Sequence, residues 1–174
     1  MRRTLLLMLL ALVVVPMTAL AGQEAPGDGS LSVRNGEGLV VFANFRGALI
    51  GKAGAGTFVE VDVTLADDCE ALNVFGEERI VRREKLDELG APRTVCIFTS
   101  SKSVLRWRLI TTQPQNIRFK KSRELGFSAV GRGTVSIKGT GGNDDGQLSF
   151  NGEQYDSLPD ELTRFTLAAP APND

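Results

Sequence analysis

Glu60 and Asp62 stand two residues apart in the run Phe58-Val-Glu-Val-Asp-Val63. An extended chain places both carboxylates on one strand face, about 7 Å apart by strand rise. That spacing is tolerable for two acids working across a glycosidic bond. Acid alternating with valine is also what an ordinary solvated strand face produces, and this second reading is the favoured one. The basic residues form the other pattern. Arg106 and Arg108 share one face of Val104–Ile110, and Arg118 and Lys120 share one face of Ile117–Lys120. If the two runs pair through residues 111–116, "TTQPQN", all four cations gather on one side of a hairpin. Arg132 and Lys138 would extend that patch. Arginines on a rigid sheet hold carboxylate or phosphate groups bidentately. The predicted anion-binding face is therefore Arg106, Arg108, Arg118 and Lys120, aimed at anionic glycan, envelope polymer or lipid headgroups. The favoured reading is nevertheless a solvated face neutralised by neighbours such as Glu60 and Asp62.

Other chemistries are missing their residues. The chain contains no histidine, which removes the commonest general base and most zinc and copper sites. Gly47-Ala-Leu-Ile-Gly51-Lys52 has three residues between its glycines where a phosphate loop of the Walker type has four, and Ala53 replaces the metal-binding hydroxyl. Gly131-Arg-Gly-Thr134 lacks the third glycine and the following helix of a dinucleotide fingerprint. These glycines read as turn, bulge or corner residues. Gly54-Ala-Gly-Thr57 repeats the same signature before another apolar run. Residues 139–146, "GTGGNDDG", put Asn143, Asp144 and Asp145 in succession, whereas calcium loops place ligands at alternate positions. A solvated hairpin loop is expected there. No cofactor and no metal are predicted, and no enzymatic activity.

Cys69 and Cys96 are the two cysteines and are expected to form one structural disulfide. The N-terminus supplies the oxidising compartment this needs. Arg2 and Arg3 precede an apolar stretch from Leu5 to Val15, and Ala19-Leu-Ala21 offers a small-x-small cleavage site. That order predicts a cleavable secretory signal peptide over 1–21, hence a secreted or periplasmic protein with no transmembrane segment in the mature chain. Without Arg2 and Arg3 the 20 basic residues become 18, against 21 acidic, so bulk charge draws the chain to no nucleic acid. Partners are expected instead among cell-envelope polymers or proteins.

Residues 22–30 read as a flexible leader, 31–167 as a single β domain and 168–174 as a flexible tail. Leu31–Arg34 and Leu39–Arg46 are expected to form a tight hairpin across Asn35-Gly36. Val59, Val61, Val63 and Leu65 face one way in a strand over Thr57–Leu65. Phe127–Val130, Thr134–Lys138, Leu148–Phe150 and Phe165–Leu167 complete the set of short strands. Glu77–Leu89 is charged and rich in helix formers, and predicts a short helical or irregular insertion, entered through a strand over Arg79–Arg83. Eight to ten short strands argue for an all-β antiparallel β-sandwich, with a small closed β-barrel as the alternative. The pieces "LSVRNGEGLVVF", "RGALIGKAGAG", "LGFSAVGRGTVSIKG" and "YDSLPDE" resemble small exported bacterial all-β proteins; the resemblance implies no activity, ligand or site residue. The resulting expectation is an exported, non-enzymatic binding or structural module, with the basic-face reader and then a paired-carboxylate hydrolase as alternatives.

Overall fold

The computed structural model describes residues 28–64, 68–86, 90–142 and 144–168. The predicted signal peptide, residues 22–27 of the leader, all but the first residue of the tail, and Leu65 and Asn143 lie outside them. The described chain is an open antiparallel sheet of nine strands with one short helix. In chain order these are β1 (Gly29–Ala53), β2 (Phe58–Val63), α1 (Asp68–Ala71), β3 (Val74–Phe75), β4 (Arg79–Leu86), β5 (Pro92–Thr99), β6 (Leu105–Lys138), β7 (Gln147–Phe150), β8 (Asp156–Ser157) and β9 (Thr163–Leu167). Among the described residues no helix is long and apolar enough to cross a membrane.

Two strands are far longer than the short runs expected: β1 has 25 residues and β6 has 34. Their register explains how. Residues 29–33 pair with 131–127, 40–42 with 119–117, and 47–53 with 111–105, so β1 lies along β6 for its whole length. The other edge of β1 also pairs with β6, through 39–43 against 138–134 and 47–52 against 131–126. The ribbon therefore folds back on itself and builds two leaves. The first runs β3, 105–111, 47–53, 125–131, 29–34, β7, β8, and the second runs β4, β5, β2, 117–120, 39–46, 132–138, β9. Each long strand passes from leaf to leaf at bends, the device by which strands turn the corners of a sandwich. The end strands of neither leaf close on the other, so the architecture is sandwich-like rather than a closed barrel.

The bends carry the unusual backbone. Asn35, Asn44, Lys121 and Glu124 have φ near +50°, and all sit where β1 or β6 changes leaf. Asn35-Gly36 is thus a corner inside one strand, and the predicted hairpin there does not form. The most constrained corner is Gly47 against Gly131, paired in register with φ of 145° and 154°. A Cβ on Gly47 would strike the Val130 carbonyl, and one on Gly131 the Arg46 carbonyl, so the two backbones cross only because neither has a side chain. The repeated Gly-x-Gly-Thr signature also has a positional meaning. Both Gly54–Thr57 and Gly131–Thr134 lead the chain from the first leaf into the second, one as a turn and one as a strand corner.

Leaf alternation fills the interior. Val59, Val61 and Val63 of β2 are buried, as are Leu105, Trp107 and Leu109, and Ile117 and Phe119, of β6. Aromatic rings join the leaves: Phe119 lies 4.8 Å from Trp107 and 6.0 Å from Phe127, and Phe42 lies 5.6 Å from Phe127.

The charged stretch is the main correction. Arg79–Leu86 is a full strand, β4, paired with β5 from Arg79↔Thr99 to Leu86↔Pro92, and the expected helical or irregular insertion is absent from the described part of 77–90. Its residues are good helix formers, but a single short helix is marginal alone, and the open edge of β5 supplies eight residues of ladder pairing instead. Gly90, between β4 and β5, has φ of 78°. The helix that does form, α1, carries Cys69, which is bonded to Cys96 on β5.

Candidate functional site

Glu60 and Asp62 leave β2 on the side opposite its buried valines, on the outer face of the second leaf. The neighbouring strands decide their surroundings. Glu60 pairs in register with Arg118, and Asp62 with Val95. Lys85 stands opposite Arg93 one strand further out. Asp62 has only 8% of its side chain exposed and receives three donors: Lys85 Nζ at 2.5 Å, Arg118 Nη1 at 3.1 Å and Asn116 Nδ2 at 3.2 Å. Glu60 accepts from Lys120 at 2.8 Å and lies 4.0 Å from Arg118. A carboxylate so shielded from water is tolerable only when its oxygens are satisfied by charged donors.

Above Asp62 opens a cleft of about 580 Å³. Its walls are the β4–β5 edge, with Lys85, Leu86 and Arg93, and the bend of β6 at Gln113–Asn116. Asn116 fixes this bend from both ends of its amide, donating to Asp62 and accepting from the Asn44 backbone N–H at 3.1 Å. Arg93 Nη1 donates to Thr64 Oγ1 at 3.0 Å. The Gln113 and Gln115 side-chain amides have no hydrogen-bond partner among the described residues. Three cationic side chains, Lys85, Arg93 and Arg118, thus wall a cleft whose described lining contains one carboxylate, with unengaged amides at its rim.

The predicted basic face is divided. Residues 105–111 and 117–120 do not pair with each other, because 111–116 continue the strand through a bend. Arg118 and Lys120 lie on the second leaf, tied to Glu60 and Asp62. Arg106 and Arg108 lie on the outer face of the first leaf, opposite Lys52 and Ile50, and have no ion-pair partner among the described residues. Arg132, at the Gly131–Gly133 corner, is paired to Asp28 at 2.8 Å. Lys85 and Arg93 were missed by the sequence reading, since Lys85 reaches Asp62 only through the β4–β5 pairing and Arg93 reaches the cleft only through the β2–β5 pairing.

The loop 139–146 is held by one acid. Asp145 is buried and accepts from the Thr140 hydroxyl, from Gly141 N at 2.7 Å and from Gly142 N at 3.0 Å. The described donors already occupy both carboxylate oxygens, a turn-capping arrangement. The Thr140 hydroxyl, and after it the Gly142 and Gly141 N–H groups, hold this carboxyl below the usual aspartate range against the opposing effect of burial. A depressed folded-state pKa contributes stability above the unfolded-state value and loses it as pH falls through the folded one. Urea midpoints measured across acid pH should therefore fall more steeply for the wild type than for Asp145→Asn below the ordinary aspartate range. Parallel curves would show that the Asp145 charge does not stabilise the loop.

Comparison with protein-family models, with curated proteins and with solved structures finds no match to this chain.

Proposed function

We propose that this is an exported, non-enzymatic binding module that recognises an acidic saccharide of the cell envelope in the Asp62 cleft. The observation that carries the reading is the convergence of Lys85, Arg93 and Arg118 around one shielded carboxylate on the floor of an open cleft. Asp62 orders Lys85 and Arg118 in advance, which reduces the entropy a ligand anion must overcome. Planar guanidinium groups match a sugar carboxylate. The Gln113 and Gln115 amides offer both donors and acceptors to hydroxyls.

Binding rather than hydrolysis is supported by the state of the acids. A two-carboxylate glycosidase needs one acid free to give up a proton. Here Glu60 is engaged by Lys120 and Asp62 by two cations and an amide, and no histidine substitutes. Export is supported by the Arg2-Arg3, Leu5–Val15 and Ala19-Leu-Ala21 sequence and by the Cys69–Cys96 bridge.

Titration calorimetry with oligogalacturonate, beside the uncharged galactose oligomer, tests the proposal. The acidic oligomer should bind and the neutral one should not. Lys85→Gln should weaken binding about tenfold, the loss of one charge-assisted contact, and Gln115→Ala by less. Equal binding of both oligomers, or an unchanged affinity in both variants, would sink it.

A further inference from the structure

The outer face of the first leaf has a character unlike the rest of the surface. Antiparallel register puts Phe75, Arg106 and Lys52 in one row, Arg108, Ile50 and Ser128 in the next, and Ile110, Ala48 and Val130 in a third. Directly opposed residues share a face, so these rows form one continuous surface. Ile50, Phe75 and Ile110 are 49%, 58% and 65% exposed, three of the five large apolar side chains so exposed among the described residues. Arg106, Arg108 and Lys52 are exposed between them, with no ion-pair partner among the described residues. No acidic residue occupies an outward position of 48–52, 106–110 or 126–130.

Each feature alone is commonplace. Isolated exposed apolar residues need no explanation, and unpaired surface cations are ordinary. Their combination is specific, because a purely electrostatic partner makes no use of three isolated apolar tips. An aqueous protein surface in turn gains nothing by leaving three neighbouring cations without a counter-charge. A lipid interface uses both at once: anionic headgroups take the cations, and the headgroup–acyl boundary takes the apolar side chains. The sheet between Gly47 and Ala53 is anchored by buried Leu49 and Ala53, so the face is presented on a rigid support.

From this surface we infer that the protein docks on a bilayer of anionic phospholipid through Ile50, Phe75 and Ile110 together with Lys52, Arg106 and Arg108. The Asp62 carboxylate lies on the other leaf, and Ile110 stands at the rim of a recess that reaches it. The inference stands independently of the saccharide reading.

Vesicle sedimentation tests it, using phosphatidylglycerol–phosphatidylcholine vesicles, pure phosphatidylcholine vesicles and soluble heparin. The mature protein should partition onto the anionic vesicles and leave the neutral ones. R106E/R108E should weaken this by about tenfold or more, from the roughly fivefold value of each surface cation. I50S/I110S should weaken it comparably while leaving any heparin binding unchanged. All four positions are exposed, and circular dichroism would verify that the variants fold. K85Q should bind vesicles like the wild type. The inference is overturned by no partition onto anionic vesicles, or by partition insensitive to R106E/R108E. It is equally overturned if I50S/I110S leaves vesicle binding intact, which would assign the face to a soluble polyanion.

Discussion

Replacing Phe119 with alanine is expected to lower the stability of the fold by about 3–5 kcal/mol, as truncations of buried phenylalanine do. Phe119 is fully buried, and its ring lies against Trp107, Phe127 and Phe42. Trp107 and Phe127 belong to the first leaf, while Phe42 and Phe119 itself belong to the second. Its removal opens a void between the leaves that four different segments would have to close, and each is pinned in register by β1–β6 pairing. Relaxation into the void is therefore restricted, which places the cost toward the upper part of the range. Phe165→Ala is the control, since Phe165 is only partly buried and packs on Phe150 at the edge formed by β9. Urea unfolding followed by the single tryptophan, Trp107, should show a large loss for Phe119→Ala and a smaller one for Phe165→Ala. Equal losses would mean that the leaves are not held together by this cluster.

Removing the disulfide as Cys69→Ser with Cys96→Ser is expected to lower stability by about 3–4 kcal/mol, from the loop-closure entropy of a 27-residue separation. Two further effects add to the entropic one. Both cysteines are fully buried, so two hydroxyls replace sulfur in an apolar site. The helix α1 is only four residues long, too short to hold itself in place. Beyond the bridge, Arg82 of β4 holds it through Glu70 at 2.6 Å, an exposed ion pair of small energetic weight. Chemical denaturation of the double variant beside the oxidised wild type measures the effect. Matching midpoints would show that α1 is held by its other contacts.

Much of the architecture was legible from alternation. The strand β2 and the buried positions of β6 follow directly from Val59-x-Val61-x-Val63, Leu105-x-Trp107-x-Leu109 and Ile117-x-Phe119. The disulfide followed from counting two cysteines. The connections between strands were not legible, for a physical reason. Asn35-Gly36 carries a positive φ, which a hairpin and a strand corner both require, and only long-range pairing distinguishes them. The same holds for Gly131–Gly133, where the close approach to Gly47 comes from a residue 84 positions earlier in the chain. Residues 84–86 extend the strand expected over Arg79–Arg83 rather than turning into a helix, because intrinsic helix preference is weaker than an available β edge. Without that continuation to Leu86, Lys85 could not be placed opposite Arg93 and above Asp62. The four-cation face failed likewise, because a strand that bends between leaves separates Arg106 and Arg108 from Arg118 and Lys120. Glu60 and Asp62 were correctly placed on one face, but their cationic partners came from β4 and β6.

The most direct measurement is a side-chain amide and guanidinium NMR titration of the isotopically labelled protein with oligogalacturonate. The Gln113, Gln115 and Asn116 amide signals and the Arg93 and Arg118 Nε–H signals should move saturably, all with one affinity. The neutral galactose oligomer should leave them in place. Movement confined to Arg106 and Arg108, or the same response to the neutral oligomer, would contradict the assignment of the Asp62 cleft as an acidic-saccharide site.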